Sequence, residues 1–346
     1  DNIATLSKGI GISKEQLSED GEPCILYGEL YTKYKSEIIK QVESKTDING
    51  SKLKRSKAND VIIPCSGETA VDIATARCVP FDNILFGGDL NVISLHQYDG
   101  AFMSYQLNGK RKYDIARVAQ GVSIVHLYGE HLKAIKTYNP TLPEQQKIAK
   151  LLSLLDDRIA TQNKIIEDLK KLKSAISERL FKSVKGFTVL LSDLCDIVKG
   201  KQINGENLSD SGNYYVMNGG TEPSGYYDNY NVEASTISIS EGGNSCGYVQ
   251  FNTSPFWSGG HCYSIQNIAD KVDNMYLYHY LKSNEDAIMK LRIGSGLPNI
   301  QKKDLAMFKI IVPKIEWQIK ISTFLSSLER KAEIEERIQN VMQKQK

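Results

Sequence analysis

The sequence predicts an α+β protein in which two mixed α/β domains alternate with two long helices that form an antiparallel coiled coil. Three observations predict this fold class: an internal repeat, a long segment without helix breakers in each copy, and Gly-rich regions with short β-branched runs between them. The expected boundaries are 1–142 and 185–313 for the domains, and 143–184 and 314–346 for the helices. A chain of 346 residues is long enough to bury two such cores.

The repeat relates the two halves of the chain and predicts a pseudo-two-fold fold. Similar residues recur in the same order at an offset of 191 near the amino end, of 175 further along and of 173 in the long helices. Offsets that shrink stepwise are typical of two copies of one fold with loops of different length. The aligned positions are Gly9, Ile12, Leu17, Gly21, Ile25 and Gly28 with Gly200, Ile203, Leu208, Gly212, Val216 and Gly219; Arg117 and Gly121 with Arg292 and Gly296; and Pro140, Gln145, Ile148, Leu152 and Leu155 with Pro313, Gln318, Ile321, Leu325 and Leu328.

Local patterns predict the elements inside each copy. Short β-branched runs at 61–63 and 236–240 predict strands, and apolar residues at helical spacing predict a helix over 274–291. After Pro143 there is no Gly or Pro until Gly186, so a helix of about forty residues is expected, roughly 60 Å long at its usual rise.

Within the long helices, apolar residues alternate steps of three and four, which predicts a coiled-coil seam. Both copies place a polar residue at the same seam position, where it can fix the register of the two helices. The alternative is a single amphipathic helix that lies on a globular core. The expected seam and partner-docking residues are Leu152, Leu155, Ile159, Gln162, Ile166 and Leu169 in the first helix, and Leu325, Leu328, Ala332 and Glu335 in the second.

No catalytic, cofactor or metal motif is visible in the sequence. It contains no phosphate-binding G-x-x-x-x-G-K-[ST] segment, no Gly-rich turn in a dinucleotide-binding context, and five histidines without ligand spacing. No apolar run is long enough for a membrane span, and six scattered cysteines are typical of reduced thiols in the cytoplasm. We therefore expect a cytoplasmic binding protein with no catalytic residues and no cofactor of its own.

Two similar domains on a rigid spacer suit a linear target with two parts, and double-stranded DNA is the natural candidate. The domains are nearly neutral: residues 1–142 carry 17 basic and 17 acidic side chains, and residues 185–313 carry 10 and 13. Phosphate contacts are therefore expected from local clusters. The candidate DNA-binding residues combine such cations with short polar side chains that can pair with base edges: Ser66, Gly67, Thr69, Arg111, Lys112, Arg117, Gln120, Ser240, Asn244, Arg292, Ser295, Asn299, Gln301 and Lys302.

Several segments of the chain are also similar to those of a known family. They are G-G-T-E-P-S-G-Y-Y-D (219–228), T-I-S-I-S-E-G-G-N-S-C-G-Y-V (236–249), G-S-G-L-P-N-I (294–300), L-P-E-Q-Q-K-I-A-K-L-L-S-L-L-D (142–156) and P-K-I-E-W-Q-I-K-I-S-T-F-L-S-S-L-E (313–329). In their order along the chain they resemble the specificity (S) subunit of type I restriction–modification systems, with two target recognition domains and two conserved helical regions.

The resemblance implies that each recognition domain reads one half of a bipartite DNA target, while the helices set the spacing and dock two methyltransferase subunits. Those subunits would supply S-adenosylmethionine and adenine-N6 methylation, and restriction subunits would supply ATP- and Mg-dependent cleavage. The second helix stops at Lys346, which aligns with Lys173, so we expect it to be truncated relative to the first.

Two other hypotheses belong to different functional classes. One is a coiled-coil interaction scaffold whose globular domains bind protein or glycan instead of DNA. The other is an autonomous DNA methyltransferase or nuclease, which needs a cofactor site that the sequence does not reveal.

Overall fold

The computed structural model describes residues 3–48, 50, 52–121, 123–294 and 296–345. The chain forms two compact units, Asp1–Thr161 with Met342–Lys346, and Gln162–Val341. Among the described residues, no helix is both long and apolar enough to cross a membrane.

Before the first long helix, the described residues of the first unit form ten strands and five short α-helices. The strands are β1 (Ala4–Lys8), β2 (Glu22–Ile25), β3 (Ser44–Thr46), β4 (Lys54–Arg55), β5 (Asp60–Pro64), β6 (Ser66–Gly67), β7 (Arg77–Val79), β8 (Leu85–Phe86), β9 (Leu90–Leu95) and β10 (Val125–His126). The helices are α1 (Glu29–Thr32), α2 (Ala70–Ile73), α3 (Gly100–Asn108), α4 (Lys112–Val118) and α5 (Gly129–Lys133).

Two four-stranded sheets organise this unit. The antiparallel main sheet has the order β1-β9-β5-β7, and the second sheet has the order β3-β2-β8-β4 with a parallel β2–β8 pair. Val61, Ile62 and Ile63 are all fully buried, because their strand is central in the main sheet and is covered on both faces. The predicted strand at 61–63 is therefore confirmed.

The second unit repeats this plan. Its elements are the helix α6 (Leu142–Ser183), which begins in the first unit, β11 (Phe187–Leu190), β12 (Asp196–Lys199), β13 (Tyr214–Met217), β14 (Tyr226–Tyr227), β15 (Thr236–Ser240), β16 (Val249–Asn252), β17 (Trp257–Ser258), β18 (Cys262–Gln266), α7 (Asn274–Ser283), α8 (Glu285–Met289), α9 (Lys302–Ala306), β19 (Lys309–Val312) and α10 (Ile315–Gln345).

The sheets of the two units share one topology. The order β12-β18-β15-β16 repeats the main sheet of the first unit, and the parallel β13–β17 pair repeats β2–β8. Ile237 and Ile239 of β15 are fully buried in the core, as the predicted strand at 236–240 requires.

One predicted element differs from the structure. The helix expected over 274–291 is two helices, α7 and α8, separated at Asn284. Asn284 leaves helical geometry (φ −106°, ψ 19°), and its side-chain amide donates to the Tyr280 carbonyl at 2.8 Å. This local bond competes with continuation of the helix.

The two long helices contain 42 and 31 residues. Inside the second unit they are antiparallel, because partners later in α6 lie earlier in α10. Gln162 contacts Glu335, while Lys173 Nζ lies 2.6 Å from the carboxylate of Glu329.

Candidate functional site

A short hairpin in the first unit carries several of the predicted site residues. The Gln120 N–H donates to the His126 carbonyl at 2.9 Å, and the His126 N–H donates back to Gln120 at 2.6 Å. Gly121 turns the chain at φ +123°, where a Cβ would lie 2.1 Å from the Ile124 carbonyl oxygen. β10, which closes the hairpin, pairs with β6 directly after the central strand. The hairpin is therefore fixed to one end of the main sheet.

The second unit contains the same construction. The Ile293 N–H donates to the Asn299 carbonyl at 2.8 Å, and the reciprocal bond measures 3.0 Å. Gly294 turns the chain at φ +98°. Asn299 forms a bridge to Gly242, directly after the central strand β15.

These hydrogen bonds correct the register of the repeat. Gln120 and His126 correspond to Ile293 and Asn299, which is an offset of 173 rather than the 175 expected for this segment. Arg117 therefore corresponds to Lys290, and Gly121 to Gly294. The sequence alignment chose Gly296 because glycines stand at both 294 and 296, and only backbone geometry distinguishes them.

Cations flank both hairpins. In the first unit, Arg111 and Arg117 each lie 3.2 Å from Asp114, and the Arg117 side chain is 78% exposed. In the second unit, Lys290 and Arg292 precede the hairpin and Lys302 follows it, and all three are exposed. Each hairpin of these nearly neutral units therefore has a local cluster of positive charge beside it in the chain.

A buried carboxylate lies beneath the hairpin of the second unit. One carboxylate oxygen of Glu241 accepts hydrogen bonds from Lys199 Nζ at 2.6 Å and from the Tyr263 hydroxyl at 3.3 Å. Its other oxygen has no hydrogen-bond partner among the described residues, and His261 Nδ1 is 3.5 Å away. The equivalent position in the first unit is Cys65, because the two residues make the same backbone hydrogen bond. The Cys65 N–H donates to the Asp89 carbonyl at 2.7 Å, and the Glu241 N–H donates to the His261 carbonyl at 2.9 Å.

The two units therefore support the same loop with different chemistry. No sequence pattern indicated the Glu241 cluster, because Lys199 lies 42 residues away in the chain.

The remaining predicted site residues fall into three groups. Gln120, Asn244 and Asn299 are exposed, and Thr69 is exposed but caps α2 by accepting the Asp72 N–H at 3.1 Å. A second group is partly buried, and Ser295 lies outside the described residues. The partly buried group comprises Ser66, Gly67, Arg111, Lys112 and Gln301.

Ser240 requires a correction. It is 4% exposed, and its hydroxyl donates to the Gly219 carbonyl at 2.6 Å. β15 carries this side chain to an interior position, so Ser240 holds a neighbouring loop and does not present its hydroxyl to a ligand.

The expected seam residues all lie on the covered side of the long helices. Gln162, Ile166 and Leu325 are buried, and the others are partly buried: Leu152, Leu155, Ile159, Leu169, Leu328, Ala332 and Glu335. The two polar seam residues contact each other, because Gln162 Nε2 donates to the Glu335 carboxylate at 2.6 Å. This hydrogen bond forms only when α6 and α10 pack in one particular register.

A buried glutamine joins each long helix to its unit. Gln145 Oε1 accepts the Asp99 N–H at 2.9 Å, and Gln318 Oε1 accepts the Asp273 N–H at 2.9 Å. Each aspartate caps a helix, α3 or α7, by accepting an N–H at 2.7 Å. Aromatic helix residues add a second repeated contact, since Tyr105 and Tyr278 donate to the acids Asp156 and Glu329 at 2.6 and 3.3 Å.

Burial favours the neutral form of one histidine and of several cysteines. Burial lowers the pKa of His279 to about 4, and its ring contacts the Ser326 hydroxyl at 2.9 Å. All six cysteines are buried and unpaired, and burial raises the pKa of the Cys78 and Cys195 thiols to about 12. The described residues contain no group of three or more His, Cys, Asp or Glu that could hold a metal ion.

The family model for the type I restriction modification DNA specificity domain matches residues 3–171 and 186–344. The chain belongs to this family. The two matches support the predicted fold class, with two mixed α/β domains, two long helices and an internal repeat, and that prediction is confirmed.

Relatives agree with this membership, and a solved structure has the same fold. A candidate type I specificity subunit of Mycoplasma genitalium is 34% identical over 122 residues, 35% of this chain and 31% of that protein. A second, from Mycoplasma pneumoniae, is 32% identical over 145 residues, 41% of this chain and 38% of that protein. The matched segments thus span about a third of the length of these relatives. The crystal structure of the M. genitalium type I system S subunit has a TM-score of 0.70 at 19% identity, covering 99% of this chain and 91% of that one.

Proposed function

We propose that this member of the specificity family is the DNA sequence-recognition subunit of a type I restriction–modification complex in the cytoplasm. The domain at 1–142 reads one half of a bipartite double-stranded target, and the domain at 185–313 reads the other. The helices at 143–184 and 314–346 act as spacer and docking site. The chain contributes no catalytic residue, and the partner subunits supply S-adenosylmethionine, ATP and Mg.

The observation that carries the proposal is the duplicated hairpin. Each unit closes a hairpin with the same reciprocal pair of backbone hydrogen bonds, and each joins it to the segment after the central strand by an equivalent bond, Leu127 N–H to the Cys65 carbonyl or Ile300 N–H to the Glu241 carbonyl, both at 2.8 Å. A duplicated surface on a duplicated fold suits two half-sites of one duplex. The candidate contacts are Ser66, Gly67, Thr69, Arg111, Lys112, Arg117 and Gln120 in the first unit, and Asn244, Arg292, Ser295, Asn299, Gln301 and Lys302 in the second.

Exposed apolar side chains on the long helices support partner docking. Leu151 and Leu154 of α6 are 60% and 57% exposed, and Trp317 of α10 is 59% exposed, with Ile319 and Phe324 also exposed on that helix. Large apolar side chains concentrated on one element are typical of a protein-binding surface. We propose that methyltransferase subunits, two in number, bind here and that restriction subunits join through them.

The test is methylation sequencing of a random DNA library, using this chain, the methyltransferase subunit encoded beside it and S-adenosylmethionine. Methylated adenines in a split motif with a fixed gap are expected, with the halves about one helical turn of duplex apart. A contiguous motif would contradict the two-reader proposal. A stable complex that binds protein or glycan ligands but leaves DNA unmethylated would favour the scaffold alternative.

A further inference from the structure

The tips of the two hairpins carry exposed aliphatic side chains at equivalent positions. Leu297 is 86% exposed and Ile124 is 60% exposed. Each lies three residues after the positive-φ glycine of its hairpin, so Ile124 and Leu297 are equivalent positions at the repeat offset of 173 residues. A single exposed aliphatic residue is ordinary, but the same feature in both copies of an otherwise divergent loop requires a physical explanation.

The hairpin holds this tip in a defined position. In the second unit the Pro298 carbonyl accepts the Gly243 N–H at 3.0 Å, and the Ile300 N–H donates to the Glu241 carbonyl at 2.8 Å. Ile300 is fully buried next to the tip. The side chain of Leu297 is therefore presented from a tethered loop with its apolar surface in solvent.

The surroundings of the tip indicate what covers it. Lys290 and Arg292 before the tip in the chain, and Lys302 and Lys303 after it, are exposed cations in a stretch, residues 185–313, that carries only 10 basic against 13 acidic side chains. In the first unit, Arg117 is close in sequence to Ile124 and is also largely exposed. A DNA duplex is complementary to an apolar tip that is flanked by cations. Its phosphates attract the cations, and its stacked bases offer apolar surface to the tip.

We propose that Leu297 and Ile124 are apolar wedges that press against the base stack of the bound duplex, one in each half-site. This inference rests on the proposed DNA-recognition function and adds a sequence-independent contact to it. The cations provide the electrostatic attraction, and the tips unstack a base step, as aliphatic side chains do in architectural DNA-binding proteins.

The experiment uses the complete chain in complex with its methyltransferase subunit and a duplex carrying the methylation motif found for that complex. Leu297→Ala should weaken binding about tenfold, because most of a leucine side chain loses its burial. Leu297→Met, which keeps the apolar volume, should stay within about twofold of the wild type. The slope of affinity against salt should be unchanged in both, since no phosphate contact is removed.

Unstacking is measured with 2-aminopurine placed at successive steps of each half-site. The wild-type complex should raise the fluorescence at one step per half-site, and Leu297→Ala should abolish the rise in one half only. Ile124→Ala should abolish it in the other half. The free variants should unfold at the wild-type temperature, because both side chains are exposed.

The outcomes separate the inference from the function on which it rests. If the wild-type complex selects no split motif, the proposed function fails and the wedges fail with it. If it selects one but Leu297→Ala binds with wild-type affinity and the same fluorescence profile, only the wedge proposal is overturned.

Discussion

Gln318 offers a direct test of how the long helices are joined to the units. Its side chain is fully buried and makes three hydrogen bonds: Oε1 accepts the Asp273 N–H at 2.9 Å, and Nε2 donates to the carbonyls of Pro313 and Lys271 at 2.9 and 3.0 Å. Gln318→Leu keeps nearly the same volume but removes all three bonds. The Asp273 N–H and the Lys271 carbonyl before α7, and the Pro313 carbonyl before α10, then lose this partner.

The magnitude follows from these bonds. Each contributes about 1 kcal/mol net, and a buried backbone group left without a partner costs more. The Pro313 bond is fully buried, while the other two are partly accessible to water, and the leucine regains some apolar transfer free energy. We expect the free energy of unfolding of the second unit to fall by about 3 kcal/mol. Gln145→Leu breaks only two such bonds, at 2.9 and 2.7 Å, and should lower that of the first unit by about 2 kcal/mol.

Tryptophan fluorescence distinguishes the two units. The chain has two tryptophans, Trp257 and Trp317, and both lie in the second unit, Gln162–Val341. In urea, Gln318→Leu should lower the midpoint of the fluorescence transition by about 1–2 M. Gln145→Leu should lower the midpoint measured by circular dichroism, with a smaller effect on fluorescence.

Gln343→Leu is the matched control, because Gln343 is exposed on the same helix. It should leave both midpoints close to the wild type. If Gln318→Leu instead has the same midpoints as Gln343→Leu, the buried hydrogen bonds contribute nothing to stability.

Three other predictions concern acid stability, DNA reading and docking. The pKa of His279 is about 4 in the folded chain and near 6.5 when unfolded, so the unfolded state binds more protons between these values. From pH 7 to pH 4 the wild type should therefore lose up to about 3 kcal/mol more stability than His279→Gln, measured by urea unfolding. Equal losses in the wild type and the variant would contradict this. Arg292→Ala should weaken or relax reading of one half-site only and reduce the salt slope of binding by about one, and equal loss at both halves would contradict two separate readers. Trp317→Glu should weaken methyltransferase binding in calorimetry by about 2 kcal/mol, whereas Thr323→Glu, also exposed on α10, should have little effect.

The sequence predicted those parts of the fold that depend on local pattern. The run 61–63 is β-branched and the helix α6 lacks internal glycine, so each was recognisable without knowledge of its neighbours. The hairpin register was predicted wrongly, because it depends on which of Gly294 and Gly296 adopts positive φ. The Glu241 cluster was missed because strand pairing between β12, β18 and β15 brings Lys199 to it across a long sequence separation. Ser240 was predicted as a contact since its residue type suits base reading, but its place in β15 buries it.

If the two units read DNA as proposed, the features that they share and those in which they differ predict the kind of target. The shared features are internal: the strand order of the main sheet, the buried glutamines and the tyrosine–acid contacts. The differences include the buried pair Cys65 and Glu241, and exposed positions of the hairpins, where Gln120 and His126 of one unit correspond to Ile293 and Asn299 of the other.

Imidazole, amide and aliphatic side chains pair with different base edges, so two units with these hairpins should not read the same bases. We therefore expect a bipartite target whose halves are unlike in sequence, visible in the methylation pattern. A palindromic target would mean that the hairpins contact only the sugar-phosphate backbone and that base reading occurs elsewhere on the units.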